Sequence, residues 1–373
     1  MKQYQIFALF VASVAMISSV LLAPTLAVEV STPTPLFPQA LVPGDTIEII
    51  APAKYLDKGR VTLATKRLEE MGFKVRIPRN LFRQKGFLAG TDEERATELI
   101  DAFADPDVKA VLPGTGGYGT TRIVDKLDYD VIRRNPKILV GFSDITGLHI
   151  AINQKTGLVT FHSPLPEWGL GTDENLSPYA AKWFWRAILA KSYSGSAGDK
   201  LGVGYTIETH PSDPPKTGDD KLFKDVPHPV TMHSGKGKGR LIGGNVSVVV
   251  ATMGSPYEIQ TDGKILFLED VGEEPYRVDR MLNTLRLAGK FDHVKGVILG
   301  QFSPRKEEPK WSTDETMDEV LKDFFAKLGV PVVSHFPLGH VRYNTTLPVG
   351  AMAELDADGQ TLRILENPVT LPK

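Results

Sequence analysis

The chain has no cysteine. That excludes disulfides, a thiolate nucleophile, thiolate metal sites and lipid attachment through an N-terminal cysteine. It leaves the compartment open, because a cysteine-free chain suits either redox environment. An excess of one charge is also missing. Lys and Arg number 43 against 45 Asp and Glu, so the formal net charge is -2 and nothing electrostatic argues for nucleic acid. No H-E-x-x-H occurs and the histidines lack ligand-like spacing, so no metal site and no cofactor is expected. There is no internal repeat, and past the N-terminus no apolar run is long enough to cross a membrane.

What is there is ordinary for a globular protein: 42% hydrophobic and 24% charged residues, in 373 positions that suggest two domains. Lys2 precedes an uncharged apolar run from Ile6 to Ala23, followed by Thr25-Leu-Ala27 and then Val28-Glu29. This reads as a secretory signal peptide over residues 1–27, cleaved after Ala27, with an exported product in the periplasm or outside the cell. The run is nearly long enough to span a bilayer, so an uncleaved N-terminal membrane anchor is the alternative. Residues 28–40, rich in Pro, Thr and Ser, read as a flexible leader.

From Thr46 to Phe161, short apolar runs alternate with amphipathic stretches. Strands are expected at Thr46-Ile50, Lys74-Ile77, Val108-Leu112, Ile138-Gly141 and Leu158-Phe161, and helices near 59–71, 92–104, 120–127 and 144–155. Thr91 and Glu94 form a capping box at the start of the second helix. This alternation implies parallel pairing in a three-layer α/β sheet, with ligands at the carboxyl ends of the strands. Residues 166–236 read as a short helical passage, then an irregular connection. A second unit begins near Gly239, with strands at Lys264-Leu268 and Val294-Leu299, helices marked by Val278-Leu285 and Met317-Phe325, and a terminal hairpin turning at Asp358-Gly359.

Two loops could carry chemistry. Gly114-Thr-Gly-Gly-Tyr-Gly119 satisfies G-x-G-x-x-G, but it follows the third strand and lacks the acid expected about 20 residues on. A nucleotide site, a plain tight turn and a loop of backbone N–H groups that binds an oxyanion or carboxylate all remain open. In Val140-Gly-Phe-Ser-Asp-Ile-Thr-Gly147 an apolar strand runs into Ser143 and a helix follows, which resembles a nucleophile elbow. It places the Asp144 N–H at a helix N-terminus, where it can stabilise an oxyanion. The bland alternative is that Ser143 only caps the helix.

A serine nucleophile needs a base and an orienting acid. His162 ends a strand, His335 follows one and His340 lies in the loop beyond it. Glu269 and Asp270 end an apolar strand, whereas Glu273 and Glu274 precede a helix and could merely favour its N-terminus.

Several blocks together resemble the LD-carboxypeptidases, also called murein tetrapeptide carboxypeptidases, of which the microcin-C self-immunity peptidases are a divergent branch. The blocks are Leu41-Val-Pro-Gly-Asp45 with Ala51-Pro52, Ala89-Gly-Thr-Asp-Glu-Glu-Arg95, Gly116-Gly-Tyr-Gly119, Gly141-Phe-Ser-Asp144, Gly243-Gly-Asn245, Leu268-Glu-Asp-Val271 with Pro275-Tyr-Arg-Val-Asp-Arg280, and Gly339-His340. The resemblance implies a catalytic triad of Ser143, Glu269 and His340, and an oxyanion hole from the backbone of Asp144 and the Gly116-Gly117 loop. Gly116, Tyr118 and Asn245 become candidate substrate contacts. It implies a flavodoxin-like or amidotransferase-like parallel-sheet domain with the nucleophile over 41–170, a connecting segment over 171–236, and a smaller C-terminal α/β domain with the acid and base over 237–373. It also implies a homodimer and serine carboxypeptidase action, through an acyl-enzyme, on the L,D-bond to a terminal D-amino acid in murein tetrapeptides. An immunity-type peptidase or amidase acting on small peptide or peptidyl-nucleotide conjugates is the alternative. The chain departs from the family at Thr115, where many members have arginine, at Ala53, where Pro-Ser is common, and in its N-terminal signal.

Overall fold

The first sheet is built on β1 (Thr46–Ile50), β2 (Lys74–Arg76), β3 (Val108–Pro113), β4 (Ile138–Gly141) and β5 (Thr160–His162), paired in parallel in the order β2-β1-β3-β4-β5. That is the flavodoxin-type order, and it reverses direction between β1 and β3. The computed structural model describes residues 33–190, 204–211, 216–303 and 316–372. The expected signal segment lies outside them.

Both faces of this sheet are buried, as a parallel sheet requires. Along β3 and β4, Ala110, Leu112, Ile138 and Val140 join one hydrophobic cluster, while Val108, Val111 and Leu139 join the other. One face is covered by α1 (Lys58–Glu70) through Val61, Ala64 and Leu68. The other is covered by α2 (Asp92–Ala104), α3 (Tyr129–Arg134) and α4 (Thr146–Thr156) through Leu99, Phe103, Ile132, Leu148 and Ile152. The expected capping box on α2 is present. The helix expected over 120–127 is instead two 3-10 turns, Thr120–Arg122 and Val124–Lys126. The regular helix starts only at α3, where the Asp128 side chain accepts from the Val131 N–H.

The helical passage after the first sheet is α5 (Pro178–Ile188). The connection beyond it is less irregular than its composition suggests. It contributes β6 (Tyr205–Ile207), α6 (Asp219–Leu222) and β7 (Val230–His233). The second sheet continues with β8 (Lys236–Asn245), α7 (Val246–Ala251), β9 (Ile265–Val271), α8 (Pro275–Leu287), β10 (Gly296–Ser303), α9 (Met317–Phe325) and β11 (Val332–Ser334). Next, β12 (Leu347–Val349) returns to the first sheet, antiparallel to β5. The hairpin β13 (Met352–Asp356) and β14 (Thr361–Ile364) then closes the chain as expected. The second sheet runs β6-β14-β13-β8-β9-β10-β11-β7, with β8 to β11 parallel at its centre.

From Pro33 onward the described residues form one compact unit. Residues 33–40, expected as part of a flexible leader, are docked: the Leu36 N–H donates to Gly157 O and the Ala40 N–H to Thr370 O, both at 2.8 Å.

Candidate active site

Ser143 stands at a strained turn. β4 is wholly buried, Phe142 is extended, and Ser143 then adopts a φ of 62°, in the left-handed region that L-residues avoid. Holding a serine there costs about 1–3 kcal/mol and is a feature of functional turns. A 3-10 turn over Ser143–Ile145 leads into α4, and neither carries a side-chain cap, so Ser143 does not act as a helix cap. The Asp144 N–H opens that turn, where no intrahelical acceptor exists. The elbow is braced from behind by His149. Its Nε2 donates to Gly141 O at 2.8 Å, which leaves Nδ1 to accept from Thr160 Oγ1 at 2.8 Å. Burial pushes His149 down to about 4, so it is a neutral strut.

The Gly114–Gly119 loop lies against this elbow. A methyl group on Gly116 would stand 3.1 Å from Ser143 Cβ and 3.3 Å from Asp144 N. The loop is held at both ends. Glu167 N–H donates to Gly114 O at 2.9 Å, and the buried Glu167 carboxylate bonds the Thr115 hydroxyl. At the other end, Arg95 donates to Pro52 O and, at 2.8 Å, to Gly119 O. The Asp144 carboxylate accepts the Thr120 N–H at 2.9 Å. The leading N–H of the turn after the loop is therefore occupied by a protein carboxylate, which disfavours a dinucleotide phosphate there. Tyr118 is exposed and packs at a tilt against exposed Phe87, with ring centroids 5.6 Å apart.

The candidate acid and base arrive from the second sheet and the loop after it. Glu269, fully buried near the end of β9, accepts from His340 Nδ1 at 2.8 Å through Oε2. Its other oxygen has no hydrogen-bond partner among the described residues. Burial pushes the Glu269 carboxyl above its ordinary range, against the opposing pull of His340. Because a carboxylate only accepts, His340 carries its proton on Nδ1 and leaves Nε2 with a free lone pair. Gly339 makes this approach possible. Its φ is 114°, and a side chain there would meet Glu269 Oε2 at 2.9 Å. The neighbouring acid is otherwise occupied: Asp270 accepts from Asn245 Nδ2 at 3.0 Å, Ser247 N at 2.9 Å and Ser247 Oγ at 2.7 Å.

The two halves meet at Phe142, the residue before Ser143, whose ring lies 4.7 Å from that of His340. Of the other candidates, His335 pairs with Asp318 at 3.5 Å and Glu273 with Arg277 at 3.7 Å, both away from this contact. His162 is fully buried between Phe142 and Phe267, and desolvation holds it neutral, well below its ordinary range. Asn245 uses Nδ2 on Asp270 and Oδ1 to cap α7. Sequence reasoning missed Phe142, Glu167 and Arg95 as parts of the site. Arg95 carried a signal, being a cation on the inward face of an amphipathic helix. Phe142 carried only its place in the Gly141-Phe-Ser-Asp144 block, and Glu167 carried none.

Comparisons with known proteins bear on the family and the fold. Residues 47–163 match the LD-carboxypeptidase N-terminal domain and residues 238–355 the LD-carboxypeptidase C-terminal domain. The chain is 39% identical over 87% of its length to a probable murein peptide carboxypeptidase of Bacillus subtilis, covering 92% of that protein. It is 30% identical over 91% of its length to a microcin self-immunity protein of Escherichia coli, covering 98% of it. The solved muramoyltetrapeptide carboxypeptidase of Oxalobacter formigenes superposes with a TM-score of 0.69 at 28% identity, over 88% of this chain and all of that one.

Proposed function

The chain belongs to the LD-carboxypeptidase family, and from that premise we propose that it is a serine carboxypeptidase that releases a terminal D-amino acid from murein tetrapeptides. The observation that carries the reading is the buried Glu269–His340 hydrogen bond set against the strained Ser143 turn. In this mechanism Ser143 Oγ attacks the scissile carbonyl while His340 Nε2 takes its proton. Glu269 fixes the tautomer and stabilises the imidazolium. The N–H groups of Asp144 and Gly117 hold the tetrahedral oxyanion, each worth about 3 kcal/mol. His340 returns the proton to the leaving amine, and water then releases the acyl group from Ser143. The substrate class rests on the names of the Bacillus and Oxalobacter relatives.

A second reading, an immunity-type peptidase acting on peptidyl-nucleotide conjugates, shares the chemistry and is supported by the microcin relative and by solved structures of that protein. Incubating the protein with a murein tetrapeptide and with a peptidyl-adenylate, followed by mass spectrometry, separates the two. Release of the terminal D-amino acid is expected, and turnover of the adenylate alone would overturn the proposal. We further propose export through the N-terminal segment and a homodimer. N-terminal sequencing from the native host should begin at Val28, and sedimentation should give twice the chain mass.

A further inference from the structure

We propose that Lys54 receives the terminal carboxylate of the substrate, an inference that rests on the carboxypeptidase reading above. Any carboxypeptidase must recognise a carboxylate at a short, fixed distance from the bond it cuts. The scissile carbonyl carbon and the carboxylate carbon of the leaving residue are separated by three bonds, about 4 Å. A carboxylate-binding group, for which a cation is well suited, is therefore needed close to the oxyanion loop, on the leaving-group side of Ser143.

Lys54 occupies such a place. It follows β1, and the loops after β1 and β3 flank the point where the strand order reverses, which is where sheets of this type bind ligands. Its backbone N–H donates to Gly116 O at 3.3 Å, so its main chain is joined to the loop that touches Ser143. Its stem lies along Gly117, where an added methyl group would stand 2.8 Å from Lys54 Cβ and 3.2 Å from Cδ. The next residue back, Gly116, would bring a methyl group within 3.1 Å of Ser143 Cβ. The ammonium lies 5.3 Å from the Tyr55 ring centre and has no ion pair with any described residue.

Three other cations of this region are already engaged. Arg95 and Arg122 both bind Asp92. Arg342, two residues past His340, binds Glu174 at 2.6 Å. Glu167 is buried and bonded to the Asp57 N–H at 2.5 Å; the Lys54 charge pulls its carboxyl down, but the two form no ion pair. An exposed lysine held by its backbone, with a free head beside a loop of N–H groups, suits a small carboxylate ligand.

The test uses the full chain and one L,D-tetrapeptide in two forms, free acid and C-terminal amide. Wild type should prefer the acid. Lys54→Gln should raise KM for the acid by about ten- to a hundredfold and collapse the acid-over-amide preference, and Lys54→Arg should restore most of it. A Lys54→Gln enzyme that keeps the wild-type preference would overturn the assignment, as would a wild type that cleaves both forms equally. A wild type that cleaves neither form would instead overturn the carboxypeptidase reading, and this inference with it.

Discussion

The backbone N–H of Asn245 donates to Thr146 Oγ1 at 3.1 Å, which ties the first turn of the helix behind Ser143 to the end of β8. Asn245 is in turn the register partner of Glu269 on β9. One hydrogen bond and one strand pairing thus connect the Ser143 turn to Glu269. Thr146→Val keeps the shape but leaves the buried Asn245 N–H without an acceptor, at a cost of about 1–3 kcal/mol. Gly244→Ala should be worse, because its φ is 142° and a methyl group would stand 2.4 Å from Thr146 Oγ1. Both variants should lower kcat and melting temperature together. A Gly244→Ala protein with unchanged melting would show that the seam is not where the halves are held.

Residues acting as one unit are strongly non-additive. Ser143→Ala and His340→Ala should each reduce kcat by about ten-thousandfold or more, and the double variant should be hardly worse. A serine-directed covalent reagent should modify Ser143 and abolish activity, while chelators leave it intact. Near-normal turnover in His340→Ala together with inactivity of His162→Ala would transfer the base role to His162.

Burial raises the Glu269 carboxyl above its ordinary 4.5. The folded state then holds that proton more tightly than the unfolded chain does. Its contribution to stability is full below the unfolded pKa and is lost as pH rises through the folded one. Glu269→Gln has no such proton. Its melting temperature relative to wild type should improve as pH rises above the ordinary carboxylate range, while kcat falls by about ten-thousandfold through a misdirected imidazole. Calorimetry at several pH values decides it, and a variant that loses ground as pH rises would contradict the burial argument.

His149 has the opposite sign. Burial lowers it from 6.5 to about 4, so the unfolded chain takes up a proton that the folded one refuses. Stability is lost as pH falls across that window, by on the order of 3 kcal/mol. His149→Gln should be less stable at neutral pH, having lost the contacts to Gly141 and Thr160, yet flatter on acidification. Equal slopes for variant and wild type in urea titrations would rule out His149 as the titrating group.

Local pattern determined a good part of this protein. Alternating apolar runs and amphipathic stretches are sufficient for the parallel first sheet, and the Thr91 and Glu94 spacing for the cap on α2. An apolar strand running into Gly-Phe-Ser-Asp is sufficient for an elbow, because a strand followed at once by a helix must turn sharply at the residue between. Taken residue by residue, without the family resemblance, the same patterns leave the partners of Ser143 open among several histidines and acids. A loop histidine has no periodicity, and two adjacent acids at a strand end alternate faces without showing which face meets what.

Which of these side chains meet is visible only in the tertiary structure. Packing of the second sheet aims Glu269 at His340, 71 residues away, and turns Asp270 toward Ser247. The same packing draws β12 back into the first sheet and recruits β6 and β7 from a stretch whose composition reads as loop. Edge strands of three or four residues are set by the neighbour that offers free N–H and C=O groups, and no local propensity records that neighbour. For the same reason Lys54 stands out only once Gly117 is seen beneath its stem.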